Sequence, residues 1–189
     1  MIKAEILRKI LNLGALFLPI LFYHLPYKTG RLVLATIALV IVSADVLRLH
    51  FTAVKDVFVI AFGSFLRRHE FLSLTGATYL ILSAVVCSIL FPKILTIAAC
   101  SFLLVGDSVA AVIGQSLVSI KIFGNKTLLG SLGFFGSCLV VVLLIPELKF
   151  EIGLIGAIVA TVIEALPIPV DDNFSVPLVS AFVMFYLVS

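Results

Sequence analysis

The chain is written as long apolar runs separated by short clusters of charge, glycine and proline. Runs of this kind fit helices that cross a bilayer, each needing about 20 apolar residues. They lack the alternation of transmembrane strands. Candidate spans fall at 10–26, 32–47, 73–91, 94–114, 128–145, 152–166 and 176–188. Prolines stop several of them: Pro92 after the third, Pro146 after the fifth, and Pro167 with Pro169 after the sixth. Residues 51–66 are also apolar, but Lys55 and Asp56 interrupt them, which fits an interfacial or re-entrant segment. The expectation is an all-α, polytopic bundle of about seven transmembrane helices. It forms one integral membrane domain over residues 1–189. Lys3, Arg8 and Lys9 precede the first run as in a signal peptide, but no small-x-small cleavage site comes before Tyr27 and Lys28. The first run is therefore expected to be a retained helix.

Composition strengthens this picture. The chain has 189 residues, of which 62% are hydrophobic, and a mean hydropathy of +1.31. A soluble core of this size cannot hide so much apolar surface. A net charge of +3 gives no reason to expect a nucleic-acid partner. Cys87, Cys100 and Cys138 lie inside apolar runs without CxxC spacing and read as small core residues.

The distribution of charge says more than its sum. With about seven spans, one side of the membrane carries Lys3, Arg8, Lys9, Arg48, Lys55, Arg67, Arg68, Lys121 and Lys126. The other carries Lys28, Arg31, Lys93 and Lys149. The richer side, with the N-terminus, is expected to be cytoplasmic. Compact size and short loops fit a bacterial inner membrane. The other unusual polar residues, including Asp107, Glu164, Asp171 and Asp172, fall on the same side, as a protein using a cytoplasmic nucleotide requires. A transporter would place key charges near the midplane and show related halves, and no internal repeat is present.

Three groups carry candidate chemistry. Asp107 lies near the end of the fourth run, on a helical face with Ala110, Ala111 and Gly114. Gly106, Ala110 and Gly114 recur every fourth residue, which lets a backbone or a ligand approach closely. Next, Gly124 permits a tight turn, Lys126 supplies a point charge, and Thr127 stands where the fifth helix should begin. A threonine cap there leaves backbone N–H groups that attract phosphate oxygens. Finally, Gly153, Ala157, Ala160 and Glu164 share a face, and Asp171, Asp172 and Asn173 follow. Oxygen ligands of this kind suit Mg²⁺. Asp45 and Arg48 are one turn apart and can pair. Arg67, Arg68 and Glu70 form a charged entry to the third span, where arginines can meet lipid headgroups or a substrate phosphate. His24, His50 and His69 are isolated and receive no role.

The pattern Gly106-Asp107-Ser108-x-Ala110-Ala111-x-x-Gly114, then Lys121 and Gly124-x-Lys126-Thr127-Leu128-x-Gly130-Ser131, resembles the CTP-dependent lipid kinases. These comprise the dolichol (polyprenol), phytol and yeast-type diacylglycerol kinases. Glu164-Ala165-Leu166-Pro167 with Asp171-Asp172-Asn173-Phe174-Ser175-Val176-Pro177-Leu178 resembles a second signature of that group. Glu5-x-x-Arg8-Lys9, Asp45-x-x-Arg48 and Glu70 with Thr75-Gly76-Ala77 extend the resemblance over nearly the whole chain. The group is related to CDP-diacylglycerol synthases, whose glycine- and histidine-rich tail is absent here.

The resemblance implies phosphoryl transfer from CTP to the hydroxyl of a membrane lipid. It implies Mg²⁺ held by Asp107, Asp171 and Asp172, and phosphates met by Lys121, Lys126 and the backbone around Thr127 to Ser131, with Gly124 and Gly130 shaping the loop. Glu164 is implied as a metal ligand or base, and Asp45, Arg48, Arg67, Arg68 and Glu70 as headgroup or supporting residues. The chain departs from the pattern in three places. Gln115, Ser116 and Val118 stand near the place of an Arg-Arg pair and a glycine, Leu129 in place of a glutamate, and Asn12 in place of a histidine. The first removes phosphate charge, and the second a metal or ribose contact. The same residues suit a phosphatidate cytidylyltransferase-like enzyme making a CDP-lipid, and a non-enzymatic carrier or assembly protein would use them for packing. Small-residue faces also leave room for a homo-oligomer.

Overall fold

The computed structural model describes residues 2–63, 65–67, 69–116, 119–124 and 126–188, with side chains from residue 8 onward. Arg68 and Val118, both singled out in the sequence, lie outside the described residues. The chain is nearly all helical. Its helices are α1 (Ile2–Gly14), α2 (Phe17–His24), α3 (Tyr27–His50), α4 (Thr52–Phe62), α5 (Gly76–Leu90), α6 (Lys93–Ser116), α7 (Leu128–Leu144), α8 (Phe150–Ala165) and α9 (Asp172–Val188). A hairpin of β1 (Lys121–Phe123) and β2 (Lys126–Thr127) joins α6 to α7.

Most predicted spans are helices, with two instructive differences. The run 10–26 is α1 and α2 rather than one helix. Pro19 is responsible: in a continuous helix its ring would meet the carbonyl of Ala15 and its missing N–H would break the ladder. The chain tightens instead, with Leu16 N donating to Leu13 O and Leu18 N to Ala15 O, and Pro19 falls in the first turn of α2, where no N–H is needed. The segment 51–66, expected to be interfacial or re-entrant, contains a regular helix, α4, whose residues are all at least partly exposed. It packs against α3.

Helix α9 begins earlier than the apolar run. Asn173 N donates to Asp171 Oδ1 at 2.9 Å, so Asp171 caps the start. Pro177 lies inside α9 and cannot donate to Asn173 O. Ser83 Oγ, from α5, donates to that carbonyl at 3.0 Å. The orphan created by the proline thus becomes a tie between α5 and α9.

Helix α6 is the centre of the bundle and packs against α1, α2, α5, α7, α8 and α9. Its most apolar window is 56% buried, against 22% for α3 at the periphery. Both are long and apolar enough to cross a membrane, while α5, α7 and α9 are apolar but shorter. The outer surface is greasy: Ile60, Leu143, Leu144 and Tyr186 are all strongly exposed. Helices α6 and α7 approach closely through glycines. A Cβ on Gly106 would stand 2.5 Å from the Phe134 ring, and one on Gly130 would stand 3.1 Å from Ala110 O. Gly136, on the same α7, faces open space. Gly106→Ala is therefore expected to cost about 1–2 kcal/mol, overpacking against fully buried Phe134 outweighing better helix propensity. Gly136→Ala is expected to be neutral or stabilising by up to about 1 kcal/mol. Unfolding of both variants in detergent measures the difference.

Candidate functional site

Helix α6 carries Asp107 and Gly114 up to one end of the bundle, the hairpin turns back there, and α7 starts beside it. Gly124 makes the turn with φ of 54°, a conformation other residues adopt at a cost. Thr127 caps α7 as expected, its Oγ1 accepting from Gly130 N at 3.2 Å. The neighbouring amides are also engaged: Leu128 N donates to Ile120 O at 2.9 Å and Leu129 N to Ser119 Oγ at 3.0 Å. The expected backbone cradle for phosphate at 127–131 is therefore filled by acceptors of the chain itself. What this turn offers a ligand is side chains.

Those side chains open onto a cleft of about 430 Å³, a size ordinary for a small-molecule site. Helices α1, α6, α7, α8 and α9 and the loop before α5 all contribute to it. Arg8, Lys9, Arg67 and Lys126 face Asp107, Glu164 and Asp172 across it, one more cation than carboxylate among the described lining residues. Thr127, Gly130 and Ser131 form part of the wall. Ser131 Oγ is buried with no hydrogen-bond partner among the described residues, an arrangement that favours a ligand able to bond it.

The charges are paired between segments distant in sequence. Lys9 Nζ lies 2.6 Å from Asp107 Oδ2, and Asn12 Nδ2 donates to the same oxygen at 2.9 Å. Lys126 Nζ donates to Glu164 Oε1 and, at 3.1 Å, to Asp172 Oδ2. Burial alone would lower the Lys126 ammonium, but Glu164 and Asp172 outweigh it and hold it above the ordinary value of 10.5. It stays charged at neutral pH.

The expected metal trio of Asp107, Asp171 and Asp172 is not brought together. Asp172 holds Lys126, whereas Asp171 caps α9 and lies 3.9 Å from Arg67. Among the described residues no three His, Cys, Asp or Glu side chains gather closely enough to hold an ion. Every carboxylate in the cleft already has a lysine, so these residues do not form a ready cage for Mg²⁺. Lys121 sits exposed on β1, outside the cleft wall.

Asp45 and Arg48 pair as expected, away from the cleft. Both are almost fully buried. Asp45 Oδ2 accepts from Thr75 N at 2.7 Å, Thr75 Oγ1 at 3.1 Å and Thr78 Oγ1 at 2.6 Å. Arg48 donates to Glu70 O at 2.9 Å and Ser73 O at 2.7 Å. Glu70 in turn accepts from Arg67 N at 2.6 Å and Gly76 N at 2.8 Å. The pair clamps the loop that delivers Arg67 to the cleft, so it supports rather than lines it.

Lys9, Asn12 and Gln115 gained no role from the spacing of residues. Lys9 appeared within a family-like motif, but only the docking of α1 onto α6 shows that it meets Asp107.

Comparison with known proteins adds two relatives. The chain is 29% identical over 181 residues to the uncharacterised protein RP860 of Rickettsia prowazekii, covering 90% of this chain and 88% of that one. It is 24% identical over 216 residues to CTP-dependent diacylglycerol kinase 1 of Eremothecium gossypii, covering 99% of this chain and 68% of the kinase. No family model matches, and no solved structure matches.

The Asp45–Arg48 clamp yields a direct expectation. Arg48→Met strands a buried carboxylate and two carbonyls and should cost about 3–5 kcal/mol. Chemical unfolding against wild type measures it, and a loss below about 1 kcal/mol would contradict a clamp role.

Proposed function

We propose that this chain is an integral membrane phosphotransferase that moves a phosphoryl group from CTP to the hydroxyl of a membrane lipid, diacylglycerol or a polyprenol. One observation carries the reading: the two family-like segments, far apart in sequence, converge on one charged cleft, in a chain aligned over nearly its full length with a CTP-dependent diacylglycerol kinase.

On this reading the cations of the cleft meet the triphosphate. Phosphoryl transfer needs positioning and charge neutralisation more than covalent help from the protein. Lys126, Arg8 and Arg67 neutralise phosphate oxygens, and Ser131 Oγ donates to one of them. The lipid oxygen attacks the γ-phosphorus, the bond to the β–γ bridging oxygen breaks, CDP leaves, and the hydroxyl proton passes to Glu164. Asp107 fixes Lys9 and, with it, α1 as a wall of the cleft. The bundle crosses the membrane about seven times, with the cleft and the N-terminus on the cytoplasmic side, where CTP is available. A bacterial inner membrane suits the compact chain.

Purified protein incubated with labelled CTP and diacylglycerol or a polyprenol should release CDP and lipid phosphate. Pyrophosphate with a CDP-lipid would make it a cytidylyltransferase, and neither product would leave a carrier or assembly role. Asp107→Asn should lower kcat/KM at least 100-fold, about 2.7 kcal/mol, with the fold retained. Undiminished activity in that variant would remove Asp107 from the site.

A further inference from the structure

Beside the polar cleft lies a second cavity of about 230 Å³ with a different character. It runs under α4, between α1 and α5. Phe58, Phe62, Phe65 and Leu66 form its outer wall, and Leu80, 7% exposed, forms its floor. Arg8 and Arg67 line both this chamber and the charged cleft. Those two arginines therefore stand where an apolar chamber meets a cation-rich one.

We propose that this chamber seats the aliphatic chain of the lipid alcohol, with its hydroxyl presented to the cleft between Arg8 and Arg67. The inference rests on the lipid-kinase reading and adds where the acceptor enters. The occupant follows from continuity and chemistry. A ligand filling both cavities has a polar, phosphate-accepting end and an apolar tail, and the junction falls at two cations. Phe62 is 51% exposed and Ile60, on α4, is 87% exposed, so the chamber wall itself faces outward as an apolar surface. A long chain exceeds the chamber volume; its first segment lies inside and the remainder leaves past Phe62 into the bilayer.

A rival seat exists between α1 and α6, a groove of about 490 Å³ that touches the cleft at Lys9, Ala111 and Gln115. Its cation, Lys9, is already bound to Asp107 at 2.6 Å. It therefore has no arginine at its polar end, whereas the chamber under α4 has Arg8 and Arg67, and the chamber is the better match.

The test uses full-length protein in phosphatidylcholine vesicles containing a diacylglycerol with a diazirine in one acyl chain. After illumination, labelled residues are mapped by mass spectrometry. Labels are expected on Phe58, Phe62 or Leu66, suppressed by excess unlabelled diacylglycerol and not by extra phosphatidylcholine. Labels on Ile10, Leu13 and Val112, or spread over outward residues such as Leu143 and Leu144, would overturn the assignment.

Ala77→Trp, which places a ring in the chamber, should abolish that labelling. It should raise KM at least tenfold for a long-chain acceptor while leaving kcat for a short-chain soluble one within twofold. Equal loss for both acceptors counts against the seat. Chamber labelling without CDP formation would leave the seat standing and remove the kinase reading. CDP and lipid phosphate formed without chamber labelling would do the reverse.

Discussion

A carboxylate at the end of an apolar helix must meet a cation, and around the cleft that cation comes from another element. Lys9 of α1 meets Asp107 of α6. Lys126 of the hairpin meets Glu164 of α8 and Asp172 of α9. Arg67, in the loop before α5, reaches Asp171 at the start of α9. These pairs draw the polar ends of the helices together, and the space they enclose is the cleft. Because desolvation offsets most of the Coulomb gain in partly buried pairs, their value lies less in net stability than in fixing which helix ends meet. Apolar packing alone would tolerate several arrangements of such similar greasy helices. Small residues then set the distances: Gly106, Gly114 and Gly130 let α6 and α7 close on each other beneath the charges.

Much of the fold was legible because bilayer-length apolar runs with prolines after them leave few alternatives. The misread stretches are those where one residue overrides a pattern. Pro19 splits an otherwise continuous run, and Asp171 starts α9 ahead of its apolar stretch. The hairpin after α6 was invisible because five ordered strand residues carry no periodicity to read. Within the site, Lys126, Thr127, Glu164 and Asp107 converge as their motifs suggested, since short-range spacing placed them at the ends of helices on one side. Tertiary pairing was out of reach. Asp171 and Asp172 look alike as neighbouring acids, yet one becomes a helix cap and the other a partner of Lys126. The same blindness turned three acids into an expected metal trio, because the lysines that occupy Asp107 and Asp172 come from the first helix and the hairpin, and Asp171 is taken up as a helix cap.

The pairing also grades the cations of the cleft. Lys126 is held by two carboxylates, and Lys9 by an ion pair that Asn12 reinforces. Arg67 reaches its acid only at 3.9 Å. An incoming phosphate competes with these internal partners, and competition is weakest where the existing contact is longest. On the proposed reading the transferred phosphoryl group therefore gathers toward Arg67 rather than toward the centre of the lysine pairs. Arg67 also lines the phenylalanine-lined chamber. It is held in place by Glu70 and, behind it, by the buried Asp45–Arg48 clamp, which touches neither cavity through Asp45 or Arg48. A buried ion pair with no exposure and no ligand of its own thus has a physical reason to exist: it sets the position of the cation at which donor and acceptor would meet.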